Sequence, residues 1–202
     1  MSDDTDLNEH GNHQGEFRQS VGGWAEYTVN MTEINDTIRH DVTIPITLRP
    51  ALPADIDALW ALRTVAVRVS CATHYAPEQI AVWTASPVPA SYAAMLAAGG
   101  GIVAMQDEAI VGYAMLDADK QEVDAVFVDP ARAGLGIGKR LLAALEQLAR
   151  QRGIAHLHLS ASLNAEPFYR AAGFVALRAE AYAHPSGISL ASVAMEKALA
   201  AA

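Results

Sequence analysis

Residues 126–140 read VFVDPARAGLGIGKR: an apolar run, then Asp129-Pro130, then glycines at 134, 136 and 138, then Lys139 and Arg140. Glycine is entropically costly just ahead of a helix, so three on alternate positions imply a backbone that bends sharply or lies close to something else. The segment that follows, KRLLAALEQLARQRG, sets Leu141, Leu142, Leu145, Leu148 and Ala149 on one face and stops at Gly153, which predicts a strong amphipathic helix. EVDAVFV before the loop and AHLHLSAS after the helix both read as strands. Strand, helix and strand in that order form a βαβ crossover, whose strands run parallel.

Working outward, ITLRP from Ile46 alternates like a short strand, and Asp55 precedes the helical spacing Ile56, Leu59, Trp60, Arg63, Val67. Pro77-Glu78 signals a second helix and Ser91 a third, ended by Gly99 to Gly101. GIVAMQ and AIVGYAMLDA around Asp107-Glu108 predict an antiparallel hairpin, while AEPFYRAAG, FVALRAEAY and SLASVAMEK read helix, strand, strand. This alternation predicts an α/β fold, a mixed sheet covered by helices on both faces.

Two familiar chemistries offer themselves for a glycine loop between strand and helix. A dinucleotide-binding fingerprint needs a third glycine where Lys139 stands, and a P-loop needs glycine at Ala133 and Ser or Thr at Arg140. Both fail by their own spacing. What survives is their shared physics: the free N–H groups of a glycine turn, continuing into a helix N-terminus, form an anion site. Lys139 and Arg140 oppose the helix dipole unless an anion lies between them.

The chain has 202 residues, 51% of them hydrophobic, enough for one sizeable core. Of its net charge of -9, residues 1–41 carry 9 acids against 2 bases, and residues 42–202 carry 14 acids against 12 bases. No basic footprint for a phosphate backbone is visible, so nucleic acid is not an expected partner. One cysteine, Cys71, rules out an internal disulfide framework and a thiolate-rich zinc site. The start MSDDTDLNEHG has neither a basic nor an apolar leader region, and no stretch is apolar and long enough to span a bilayer. The expectation is a cytoplasmic protein without membrane partner, with a homodimer left open.

Residues 1–41 are acidic and lack period, which predicts a mobile extension ahead of a domain at 46–198. Asp4, Asp6 and Asn8 imitate the start of a calcium loop, but Glu9 and Gly15 stand where glycine and glutamate belong. His10 and His13 make no metal site by themselves, and no metal is expected.

VFVDPARAGLGIGKRLL resembles the acetyl-CoA motif of the GNAT superfamily of N-acetyltransferases, Gln/Arg-x-x-Gly-x-Gly/Ala after a strand ending in Val-x-Pro. Gly136 and Gly138 fall on the two small positions, and Ala133 departs from the Gln/Arg position. NAEPFYRAAGF, residues 164–174, is similar to the family's later Asn...Phe-Tyr-x-x-x-Gly-Phe motif. The resemblance implies a mixed, mostly antiparallel GNAT-like sheet and acetyl-CoA as cosubstrate, without metal. It implies cofactor contacts at Val126, Phe127, Val128, Ala133, Gly134, Leu135, Gly136, Ile137, Gly138, Lys139 and Arg140, with Asn164 on the pantetheine arm, although asparagine there also suits a helix cap. The Val128 N–H resembles the family's donor to the thioester carbonyl.

Acetyl transfer to an amine needs a neutral nucleophile, a polarised carbonyl and a proton for the leaving thiolate. Glu122 and Asp124, two apart on EVDAVFV, are expected to share a face with Val126 and Val128, and either is a candidate base if burial raises its pKa. Tyr169 matches the tyrosine that protonates the thiolate in many family members, and a phenol is a neutral donor at pH 7. Cys71, His74 and Tyr75 fall at i, i+3 and i+4 of an expected helix. Cys71 reads as core, while His74 and Tyr75 are placed in the acceptor pocket by the family's use of its first helices. His156 and His158 alternate with Leu157 and Leu159 on an outer face. The expected activity is acetyl transfer to a primary amine of a small molecule or peptide; the alternative is a non-catalytic acyl-CoA sensor.

Overall fold

A computed structural model describes residues 45–200. The expected extension at 1–41, with its calcium-like and paired-histidine patterns, lies outside the described residues. In chain order the elements are β1 (Thr47–Pro50), α1 (Ile56–Ser70), α2 (Pro77–Ala85), α3 (Ala90–Ala97), β2 (Gly101–Gln106), β3 (Ala109–Asp117), β4 (Glu122–Val128), α4 (Ile137–Gln151), β5 (His156–Ser162), α5 (Glu166–Ala171), β6 (Val175–Ala183) and β7 (Ser189–Ala198). They build a seven-stranded sheet of order β1-β2-β3-β4-β5-β7-β6. Every neighbouring pair is antiparallel except β4 and β5, the strands flanking α4. The mixed, mostly antiparallel sheet and its βαβ unit are as the sequence led us to expect.

Period-two patterning divides the core between the two faces of the sheet. Ala114 and Leu116 of β3 pack with Ile137, Leu141 and Leu145 of α4, while Tyr113 and Met115 pack with Leu59 of α1 and Tyr92, Met95 and Leu96 of α3. A third cluster joins the end of α1 to α2 and β7 through Val67, Cys71, Tyr75, Trp83 and Leu190. Buried Glu146 on α4 is met by Lys197 of β7 at 2.6 Å, tying the crossover helix to the far half of the sheet.

Two irregularities in β4 create the site. Met115 pairs with Ala125 but Leu116 pairs with Val123, so Asp124 is an extra residue opposite nothing on β3. Such a bulge flips the facing of the strand. Val123, Val126 and Val128 therefore pack on the α4 side, and Ala125 and Phe127 on the α1–α3 side. The expectation that Asp124 shares a face with Val126 and Val128 by simple alternation is thereby corrected. The second irregularity is on the other edge, where β4 meets β5 only at Glu122 and His158. Beyond that pair the strands part.

The expected helix through Cys71, His74 and Tyr75 does not form. Ala76 is held extended (φ -63, ψ 146) by Pro77, which disfavours helix in the residue before it, so α1 stops at Ser70 and residues 71–76 turn.

Candidate active site

The parting of β4 from β5 opens a cleft of about 340 Å³. Its floor is β4 from Glu122 to Phe127, and one wall carries Ser160 and Ser162 of β5 and Tyr169 of α5. The opposite wall is Trp60 and Arg63 of α1, Trp83 of α2 and Tyr92 of α3, closed by Tyr182, His184 and Ser192 near β6 and β7.

Backbone polarity follows from register. Asp129 N–H donates to Val111 O at 2.9 Å, and Val128 pairs with Gly112 one step further along. In an antiparallel ladder hydrogen-bonded and non-bonded pairs alternate, so the N–H groups of Val128 and Val126 point away from β3, towards the gap that β5 has left.

The glycine loop lies at the end of this floor. After a 3-10 turn at Pro130–Arg132, Gly134 (φ 81) and Gly136 (φ 74) adopt the left-handed region, which L side chains rarely enter, and a Cβ on either would meet only open space. Glycine is thus required there by the turn and not by packing. Gly138, inside α4, serves the other purpose: a Cβ would lie 3.3 Å from the Phe168 ring. From Gly134 through Lys139 no backbone N–H finds an acceptor among the described residues; the next, Arg140, donates to Gly136 O at 3.1 Å. A consecutive run of free donors with unfilled space around it suits a pyrophosphate. Ala133, Leu135, Lys139 and Arg140 are exposed beside it, Ile137 is buried as a core anchor, and neither cation is ion-paired among the described residues.

Asp124 is exposed to the open cleft, whose walls crowd its carboxyl without closing over it. Burial raises its carboxyl to about 6, the charge of Glu122 adds to the rise, and Lys120 and Arg63 oppose it. Tyr169 is buried, its ring against Phe168 (5.0 Å) and Phe174 (5.6 Å), and its hydroxyl has no hydrogen bond among the described residues. Burial first, and then the Asp124 charge, push that phenol well above its ordinary pKa. The cleft therefore holds a neutral proton donor and a carboxylate poised near neutrality.

Other expected positions land differently. Asn164 is not the helix cap; Ala165 takes that place, and Asn164 Oδ1 accepts the Cys71 thiol at 3.2 Å. Cys71 is buried, its pKa pushed up by burial to about 11, which leaves an inert thiol. Tyr75 does line the cleft, donating to Ala191 O at 2.6 Å and accepting from Leu163 N–H at 3.0 Å. His74 does not: it is exposed in the turn, 2.9 Å from Thr73 Oγ1. Trp60, Arg63, Tyr92 and Ser192 went unassigned from sequence. Only Arg63 had left a signal there, a charge amid the apolar face of α1.

A profile of the acetyltransferase (GNAT) domain matches residues 71–199. The chain belongs to the GNAT acetyltransferase family. It is 30% identical over 129 residues to the uncharacterised N-acetyltransferase YafP of Escherichia coli K12, covering 64% of this chain and 81% of that protein. A GCN5-related N-acetyltransferase from Rhodopseudomonas palustris superposes with a TM-score of 0.66 at 32% identity, over 76% of this chain and 95% of the other. The same fold occurs in YncA of Salmonella typhimurium, solved with acetyl-CoA (TM-score 0.57, 22% identity, 78% and 96% covered). This GNAT chain is an acyltransferase. Among its described residues no group of three metal-ligating side chains converges, and no single helix is long and apolar enough to cross a membrane.

Proposed function

We propose that this GNAT enzyme transfers the acetyl group of acetyl-CoA to a primary amine of a small molecule or peptide, within residues 46–198. The observation that carries the reading is the meeting of Asp124 and Tyr169 in one cleft, beside the freed edge of β4 and in line with the glycine loop. That YncA, of the same fold, was solved with acetyl-CoA supports the choice of donor.

Acetyl-CoA, when bound, supplies a thioester carbonyl for attack and a thiolate that leaves. The N–H groups of residues 134–139 receive the pyrophosphate, with Lys139 and Arg140 adding charge, and Asn164 faces the pantetheine arm beside Cys71. The N–H groups of Val126 and Val128 hold the arm and the carbonyl against β4. Asp124, assisted electrostatically by Glu122, takes the proton that the ammonium must lose before its nitrogen can attack. As the C–N bond forms and the C–S bond breaks, the Tyr169 hydroxyl protonates the departing sulfur. The surplus proton on the acylated nitrogen leaves through solvent, from which Tyr169 recovers its own, and Asp124 returns its proton to solvent before the next turnover. CoA release, assayed with amines, amino acids, polyamines, aminoglycosides and peptides, tests the reading. Tight acetyl-CoA binding without release by any acceptor would refute it.

A further inference from the structure

Two charged side chains are buried among the described residues, Arg63 and Glu146. Glu146 has Lys197 at 2.6 Å and Arg150 at 3.4 Å; among the described residues no carboxylate lies within ion-pairing distance of Arg63. The neighbours of its guanidinium are neutral: Trp83 O at 3.3 and 3.4 Å, His184 Nε2 at 3.4 Å and the Trp60 ring at 4.2 Å. These contacts orient the group without neutralising it. A buried arginine cannot shed its proton, and a buried charge is costly unless a counter-charge reaches it.

Arg63 lies in the wall of the cleft that holds Asp124 and Glu122 in its floor. Its charge reaches Asp124, yet the two do not pair. The cleft thus carries Arg63 on its wall and the two carboxylates in its floor, where Lys120 is already paired with Asp117 at 2.8 Å. A second orphan lies on its wall: Ser192 is 4% exposed and its Oγ has no hydrogen-bond partner among the described residues. Arginine presents a planar fork matched to a carboxylate, and a hydroxyl complements it.

We propose that the acceptor is a small zwitterion, a primary amine bearing a carboxylate as free amino acids do, whose carboxylate binds Arg63 and Ser192 while its nitrogen faces Asp124. The inference rests on the acetyltransfer reading above and narrows its acceptor. The cleft volume, at the low end for ligand sites, suits a molecule of that size. Polyamines and aminoglycosides, cationic throughout, would set a positive charge against Arg63.

The test uses the full chain and matched triplets: each of the common L-amino acids, its carboxamide and its decarboxylated amine, assayed for CoA release. The expected result is at least one amino acid whose KM lies roughly 10- to 100-fold below that of its two analogues, as befits a hydrogen-bonded charge pair. In Arg63→Gln that advantage disappears while turnover of the carboxamide persists. If this variant does not fold, the wild-type triplets decide alone. Equal KM values across every triplet, or an Arg63→Gln loss shared equally by acid and amide, would overturn the zwitterion but leave acetyltransfer standing. Bound acetyl-CoA with no release by any amine would overturn both.

Discussion

A Cβ on Gly138 would come within 3.3 Å of the ring of Phe168, so the two segments that carry the family resemblance, 126–140 and 164–174, are in contact. Phe168 adjoins Tyr169 edge-on at 5.0 Å, and the spacing of α4 from α5 therefore sets where the candidate acid stands. Gly138→Val should displace Phe168, lowering both thermal midpoint and turnover. Gly138→Ala should be milder, because alanine's better helix propensity, worth up to about 1 kcal/mol, offsets the crowding. Thermal melts and CoA-release rates of the two variants check this ordering.

Gly136 separates binding from folding. Its φ of 74 resists any L side chain, although space is open around it. Gly136→Val should therefore either strain the turn by about 1–2 kcal/mol or swing its N–H groups away from the anion site. A folded variant whose acetyl-CoA affinity, read by calorimetry, falls by tenfold or more is the expected result. Unchanged affinity would remove the loop from the binding site.

The strand and helix order was legible because each element carries its period and its stop signal: the leucine face of α4 and Gly153, the hairpin around Asp107. The bulge at Asp124 was not, since EVDAVFV alternates smoothly and the extra residue is defined only against the register of β3. The turn at 71–76 could have been read, because Pro77 forbids the helix that the spacing of Cys71, His74 and Tyr75 suggested. Arg63 stood in plain view between Leu59 and Val67. What one sequence lacks is the knowledge that, among the described residues, no acid from another element comes to meet it.

Asp124 makes opposite predictions for activity and stability. As base it must be ionised, so kcat/KM should fall as pH drops through about 6, and Asp124→Asn should lose that limb and recover turnover in alkali, where the amine is already free. For stability, its folded pKa lies above the unfolded value of about 3.9, so ionisation disfavours the fold above about pH 6 and the penalty is gone once both states are protonated. Asp124→Asn should thus raise the thermal midpoint at pH 7 to 8, with the difference vanishing towards pH 4. A midpoint lowered at neutral pH would show that the carboxylate is a structural anchor.

Tyr169 offers the sharpest separation of chemistry from packing. Its ring is fixed between Phe168 and Phe174, while its hydroxyl, unpartnered among the described residues, contributes little to that packing. Because burial and the Asp124 charge raise its pKa, the phenol stays protonated across the working range, a neutral donor for a thiolate whose developing charge is disfavoured by the same burial. Tyr169→Phe keeps the ring and removes the donor. Turnover should fall by about 100- to 10,000-fold, the usual worth of general acid assistance, with acetyl-CoA affinity and thermal midpoint nearly unchanged. A thioester with a more acidic thiol needs less protonation on leaving, so an activated acetyl thioester that still binds should recover part of the loss. If Tyr169→Phe turned over at the wild-type rate, the proton would have to come from water or from the ammonium itself, and Asp124 would remain as the only side chain assigned to the chemical step.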